Sequence, residues 1–273
     1  MPHAPAVKRS QFKTLHHRGC FVIPNPWDAG SARYLAALGF KALATTSSGH
    51  AWSLGQADGA VPLEQLLPHL KDLAAATDLP ISADFEHGYG ESPAGVEAAV
   101  TSAMQTGIAG LSIEDSTKQT EQPLYDIDDA VARLRAARRA MDAAGGGVLT
   151  GRAENLIRGR VDLTDTIKRL QAYQEAGADV LYAPGIKTAD DIRAVVTSVD
   201  RPVNVLAGLA GFSLSVSELA DLGVKRISVG GSLFRSAFGA AMTNAREMLD
   251  DGTFTWTDGL PTVPEISKLF ADT

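Results

Sequence analysis

The feature that most constrains this chain is one phrase repeated along it. A helical pattern closes on glycine, and a short apolar run begins at once. It reads Ala-Leu-Gly-Phe-Lys-Ala at 37–42, Gln-Thr-Gly-Ile-Ala-Gly at 105–110, Glu-Ala-Gly-Ala-Asp-Val at 175–180 and Asp-Leu-Gly-Val-Lys-Arg at 221–226. Glycine takes the left-handed position after a helix without a side-chain clash, so it marks where each helix must stop. The apolar runs fall at 20–24, 41–46, 79–85, 108–113, 148–151, 180–183, 203–206 and 226–229. They are continuous rather than alternating, as expected of strands covered by helices on the outside. Helical patterns with serine, threonine or glycine at their ends lie at 29–38, 63–77, 92–106, 164–176, 188–199 and 215–222.

Eight such βα units, spread over roughly residues 20–245 with no dividing linker, predict a (β/α)8 TIM-type barrel. The 273 residues then form a single domain, with a C-terminal helical extension at about 246–273. A dinucleotide-binding sheet would need Gly-x-Gly-x-x-Gly after the first strand, and Asn25-Pro26-Trp27-Asp28-Ala29-Gly30 is not that motif.

The net charge of −7 argues against nucleic acid and anionic membrane as partners, since both reward basic patches. Arg133, Arg135, Arg138 and Arg139 read as a solvated helix face. One cysteine, Cys20, allows neither an intramolecular disulfide nor a cysteine-based zinc site. No apolar run approaches ~18 residues, so a cytoplasmic protein is expected. His16 and His17, ahead of the first strand, read as surface residues at the far end of the barrel.

Barrel active sites lie where strands end. There the chain places Thr45 to His50 after strand two, Asp84, Glu86, His87 and Tyr89 after strand three, and Glu114 and Asp115 after strand four. Arg152 and Glu154 end strand five, Tyr182 ends strand six, and Asn204 lies on strand seven. Residues two apart in a strand share a face, so Asp84 and Glu86 are expected to converge. With Glu114 they form an oxygen set suited to Mg²⁺, with Mn²⁺ as a possible substitute. Ser47, Ser48, Gly49 and His50 offer hydroxyls and a glycine turn to a substrate carboxylate. Arg152, a fixed cation of fork geometry, suits a second carboxylate or a developing enolate oxygen. Blander roles compete. Asp28 and Asp115 also fit helix caps, Arg152 and Glu154 a structural pair, and His87 an idle loop residue. No strand ends in lysine, which leaves a Schiff-base mechanism without a nucleophile.

At these residues the chain resembles the isocitrate lyase/phosphoenolpyruvate mutase superfamily, from about Leu15 to Met248. Phe21 to Ala32 resembles the family's opening, Ser48-Gly49-His50 its Ser-Gly-x carboxylate grip, and Gly151-Arg152-Ala153-Glu154 its arginine strand. Asp84-Phe85-Glu86-His87-Gly88-Tyr89-Gly90 resembles its Asp-x-Asp-x-Gly-[Tyr/Phe]-Gly metal motif, with Glu86 in place of the second aspartate. The resemblance implies Mg²⁺, a small 2-oxo or 2-hydroxy acid, and C–C or P–C bond chemistry through an enolate. Asp58 matches a loop aspartate that approaches the substrate. The resemblance further implies a homodimer or homotetramer whose subunits exchange the last barrel helix.

One segment departs from the family. The loop at 115–125 has neither the lyases' Lys-[Lys/Arg]-Cys-Gly-His nor the mutases' Lys-x-Asn-Ser. Decarboxylation asks less of the protein, because carbon dioxide leaves without an acid on the scissile carbon. An oxaloacetate-decarboxylase-like lyase is therefore favoured, with His50, His87 or Tyr89 as proton source. Phosphonopyruvate hydrolase or mutase-like chemistry is the enzyme alternative, and a non-catalytic 2-oxo acid binding barrel the other.

Overall fold

The computed structural model describes residues 3–117 and 119–271. The chain opens with α1 (Pro5–Leu15), β1 (Phe21–Ile23), α2 (Ala29–Ala37), β2 (Leu43–Ala44), α3 (Ser47–Ser53) and α4 (Leu63–Ala76). It continues with β3 (Ile81–Asp84), α5 (Pro93–Gln105), β4 (Gly110–Glu114), α6 (Ile127–Ala143), β5 (Val148–Arg152) and α7 (Leu163–Glu175). Then come β6 (Val180–Tyr182), α8 (Ala189–Thr197), β7 (Val203–Leu206), α9 (Val216–Asp221), β8 (Arg226–Ser228), α10 (Ser232–Asp250) and α11 (Val263–Ala271).

The strands form one parallel sheet in the order β1-β8-β7-β6-β5-β4-β3-β2. The remaining seam is bridged by the Ala44 amide donating to the Pro24 carbonyl at 3.1 Å. This is a (β/α)8 barrel, as the repeated phrase predicts. At Gly107 and Gly177 the φ angles are +95° and +99°, values that a side chain strains to adopt. Helix starts are equally local. Asp28 forms a reciprocal capping box with Ser31, and Ser215 does the same with Glu218.

The outer faces of the strands pack against α4 to α7 through residues such as Leu70, Leu111, Leu134 and Leu170. The inner faces are polar. Ser82 and Asp84, Ser112, Arg152, Tyr182, Asn204, Arg226 and Ser228 all face one interior space. The opposite end of the barrel is plugged by α1. Its Phe12 is fully buried among Ile23, Ala109, Val148 and Val180.

Two surface expectations fail at this packing. His16 is only 5% exposed, because the C-terminal turn of α1 tucks its ring between Phe12 and Phe21. Arg133 is 4% exposed and donates to the Gly90 and Glu91 carbonyls, with its guanidinium 3.9 Å from the Tyr125 ring centre. That arginine ties α6 to the turn following β3. Arg135 and Arg139 remain on the solvated face.

Candidate active site

A cavity of about 180 Å³ opens at the carboxyl ends of the strands. It is smaller than the ~300–1,000 Å³ of drug-sized pockets. Of the residues singled out from sequence at the strand ends and their loops, Thr45 to Ser48, Asp58, Asp84, Arg152, Tyr182 and Asn204 line it.

Asp84 is held from three sides. Its amide donates to Thr45 Oγ1 at 2.8 Å, and its Oδ2 accepts the Ser47 amide at 3.1 Å. Its Oδ1 lies 3.4 Å from Arg152 Nη1. Arg152 also pairs through Nε with Glu154, and its Nη1 stands 3.4 Å from Glu114 Oε2. Burial opposes the Arg152 cation, but Glu154, Glu114 and Asp84 outweigh it and hold the guanidinium ionised. Glu154 thus fixes the orientation of a guanidinium that also lines the cavity.

The other acids crowd the same cations. Burial and then Glu154 hold the Glu114 carboxyl well above the usual carboxylate range, against the pull of Arg152. Burial and then Asp84 raise Asp58, whose Oδ1 accepts from the Ser47 hydroxyl at 3.4 Å. Negative charge exceeds positive charge here, which is the setting a bound cation relieves.

Glu86 departs from the expected alternation. The strand ends at Asp84, and Glu86 takes φ +43°, followed by Tyr89 at +54°. Such left-handed residues cost about 1–3 kcal/mol each and persist where surroundings over-determine them. Here the Glu86 carbonyl accepts the Glu114 amide at 2.8 Å and its carboxylate accepts the Tyr89 hydroxyl. Asp84 lines the cavity whereas Glu86 and Glu114 do not, although Glu114, at the end of β4, stays within 3.4 Å of Arg152.

Ser48-Gly49-His50 lies within a short helix, not a glycine turn. Thr46 Oγ1 caps it by accepting the Gly49 amide at 3.2 Å. A Cβ on Gly49 would stand 2.7 Å from Thr46 Cγ2, so this glycine serves close packing. His50, within α3, is buried and stacked on His69 with ring centres 3.5 Å apart. Neither His50, His87 nor Tyr89 lines the cavity. Asp28 caps α2, whereas Asp115 braces the barrel wall by accepting from Arg169, Tyr173 and the Glu154 amide. The 115–125 loop folds back on itself, with the Thr117 amide donating to the Pro123 carbonyl at 3.0 Å. Its Lys118 lies outside the described residues.

Sequence reading passed over the cavity floor. Arg226 is buried there with no carboxylate partner among the described residues. It donates to Asn204 Oδ1 at 2.8 Å and to Thr150 Oγ1 at 3.0 Å, and faces His16 Nε2 at 3.5 Å. Burial pushes its pKa down to about 10, and burial pushes the Tyr182 phenol up to about 12. The missed signal was a two-residue period. Arg226 and Ser228 alternate with apolar Ile227 inside a run read as wholly buried.

Comparison with known proteins agrees with the barrel fold. The sequence profile of the phosphoenolpyruvate phosphomutase family matches residues 12–249. A Burkholderia cenocepacia J2315 structure, described as a candidate lyase/mutase, superposes with a TM-score of 0.95 at 51% identity, covering 98% of this chain and 97% of that one. An oxaloacetate decarboxylase of Bradyrhizobium diazoefficiens is 30% identical across 70% of this chain and 67% of its own. A phosphonopyruvate hydrolase complex with oxalate and Mg²⁺ superposes with a TM-score of 0.85 at 26% identity, covering 97% and 95%. This chain belongs to the phosphoenolpyruvate phosphomutase family, within the isocitrate lyase/phosphoenolpyruvate mutase superfamily.

Proposed function

We propose that this protein is a Mg²⁺-dependent carbon–carbon lyase that decarboxylates a small 2-oxo dicarboxylate such as oxaloacetate. The observation that carries the reading is the pairing of Asp84 and Arg152 on the wall of a small polar cavity, in a chain whose 115–125 loop has no cysteine or histidine. The related oxaloacetate decarboxylase supports the substrate class, and the Mg²⁺–oxalate complex of the phosphonopyruvate hydrolase supports the metal.

Among the described residues, no three histidine, cysteine or acidic side chains form a ready metal cage. Magnesium does not require one, because it keeps several waters and takes one or two carboxylates. The excess of carboxylate over guanidinium fits such an ion. Asp84, facing the cavity, would hold it directly, with Asp58, Glu86 and Glu114 acting on its waters. When bound, the ion supplies Lewis-acid stabilisation of enolate charge.

The protein's own groups do the remainder. Ser47 and Ser48 present hydroxyls to the substrate carboxylate, and the Asn204 amide contributes a polar wall opposite them. The Arg152 guanidinium offers a fixed cation where the enolate oxygen develops charge. The enclosed site limits water around the reacting bond.

Phosphonopyruvate hydrolysis is the rival. Carbon dioxide release from oxaloacetate and phosphate release from phosphonopyruvate, measured side by side with Mg²⁺, separate the two. Decarboxylation exceeding phosphate release by at least tenfold is expected; the opposite ratio would reverse the assignment.

The assembly belongs to the same reading. Apart from Phe234, α10 buries none of its 19 residues, and its Phe238 is 55% exposed. A helix with that apolar face wants a partner, which supports a dimer or tetramer built through exchange of α10 and the tail following it.

A further inference from the structure

The decarboxylation reading leaves one role unfilled. Cleavage creates an enolate whose carbon must receive a proton, and the three groups nominated from sequence do not reach the cavity. His50 is stacked on His69, Tyr89 bonds Glu86, and His87 lies outside the lining. Among the lining residues, the side chains able to carry a proton are Asp58, Asp84, Tyr182 and weakly acidic hydroxyls. Asp84 is committed to the Ser47 amide and Arg152, and Asp58, which accepts from Ser47, is assigned above to the waters of the metal.

Tyr182 lines the cavity beside a directed hydrogen-bond chain. Guanidinium groups only donate, so the Asn204 atom facing Arg226 Nε at 2.8 Å is its oxygen. The amide nitrogen of Asn204 must then face Ser228, and it donates to Oγ at 2.9 Å. That leaves the Ser228 hydroxyl proton free to turn towards the Tyr182 phenol on the same cavity wall. Both donors point the same way, from a buried cation with no carboxylate partner among the described residues towards the wall that holds the phenol. A phenol oxygen that accepts from Ser228 keeps its own proton for another acceptor. The Arg152 guanidinium lies 5.1 Å from the centre of the same ring.

We propose that Tyr182 delivers the proton that converts the enzyme-bound enolate into the oxo acid product. This inference rests on the decarboxylation reading given above. In oxaloacetate the C3–C4 bond breaks, its electron pair enters the C2–C3 enolate, and carbon dioxide leaves. The enolate pair then takes the Tyr182 proton at C3, the C2 carbonyl reforms, and the O–H pair stays on the phenolate oxygen. The Ser228 hydroxyl and the Arg152 cation hold that phenolate until water returns the proton after release. Arg226 and Asn204 are positioning residues, since they act through Ser228.

The test uses the reverse proton step, which needs no carbon dioxide. Wild-type protein with Mg²⁺ is incubated with pyruvate in D₂O, and loss of the methyl proton signal is followed by NMR. Oxaloacetate decarboxylation is measured in parallel. Tyr182→Phe keeps the ring beneath Arg152 and removes only the hydroxyl. It is expected to slow deuterium exchange by about 10²-fold or more, the usual worth of a general acid, while carbon dioxide release falls by less. Ser228→Ala is expected to slow exchange by a smaller factor, and unchanged circular dichroism confirms folding of both variants. The inference is overturned if Tyr182→Phe exchanges pyruvate protons at the wild-type rate, or if wild-type protein decarboxylates oxaloacetate but exchanges no pyruvate protons. Wild-type exchange without decarboxylation, abolished by Tyr182→Phe, would sink the decarboxylase reading and leave Tyr182 as proton carrier of another enolate reaction.

Discussion

Asp84 and Arg152 divide the work of the site between an anion aimed at a metal and a cation aimed at the substrate. Asp84→Ala removes the one carboxylate that faces the cavity from a strand end. The expected outcome is loss of metal-dependent turnover with an unchanged circular dichroism spectrum. Arg152→Lys keeps charge but loses the fork through which Glu154 orients it, so a drop in kcat of at least tenfold is expected in steady-state assays. Buried histidine adds a pH effect away from the chemistry. Burial, followed by Arg226, pushes the His16 pKa down to about 3, from 6.5 in a solvated chain. The unfolded chain therefore binds a proton that the folded one refuses between those values. Stability is full above pH 6.5 and declines towards pH 3, by roughly 1.4 kcal/mol per unit for each such group. Urea denaturation at pH 7, 6 and 5 should show this decline, and His16→Asn should lessen it by one group's share, since burial lowers the His69 pKa to about 3 as well. At this scale sequence reading succeeded where side-chain direction follows from strand geometry, as at Asp84 and Arg152. It failed at Glu86, where a left-handed φ breaks the alternation, and at Arg226, a polar interior position hidden in an apolar run.

Most elements were legible because their signals are local. Each glycine after a helix fixes where the next strand starts, and β7 spans the expected residues without adjustment. The two helices that escaped notice have different reasons. Helix α1 is polar along most of its length and buries only Lys8 and Phe12, so its periodicity is faint. Helix α3 has seven residues and contains glycine, and it exists because Thr46 caps it and α3 packs on Trp27 and Phe234. The plug formed by α1 has a testable value. Phe12 fills the closed end of the barrel, so Phe12→Ala should cost about 3–5 kcal/mol in urea denaturation, with little collapse because the surrounding strands are rigid.

At the scale of the whole molecule, the barrel places polar side chains on the inside and leaves apolar ones on its last helix. On α10 Leu249 is 84% exposed, and Phe238 and Met242 are exposed as well, while Val263 at the start of α11 is 79% exposed. Phe238→Asp is expected to shift the protein to a smaller species in sedimentation velocity while the barrel stays folded. An unchanged sedimentation coefficient would argue that α10 is solvated as it stands. The fold was readable because eight βα units of ordinary length admit few closed arrangements. The reaction was less readable, since a barrel supports many chemistries and the choice rests on a few interior residues. The most direct test is oxaloacetate decarboxylation by metal-stripped protein before and after Mg²⁺ is restored. Carbon dioxide release that is absent after stripping and recovered with Mg²⁺, in wild-type protein but not in Asp84→Ala, is the predicted result. Equal rates with and without the metal, or full recovery in Asp84→Ala, would contradict it.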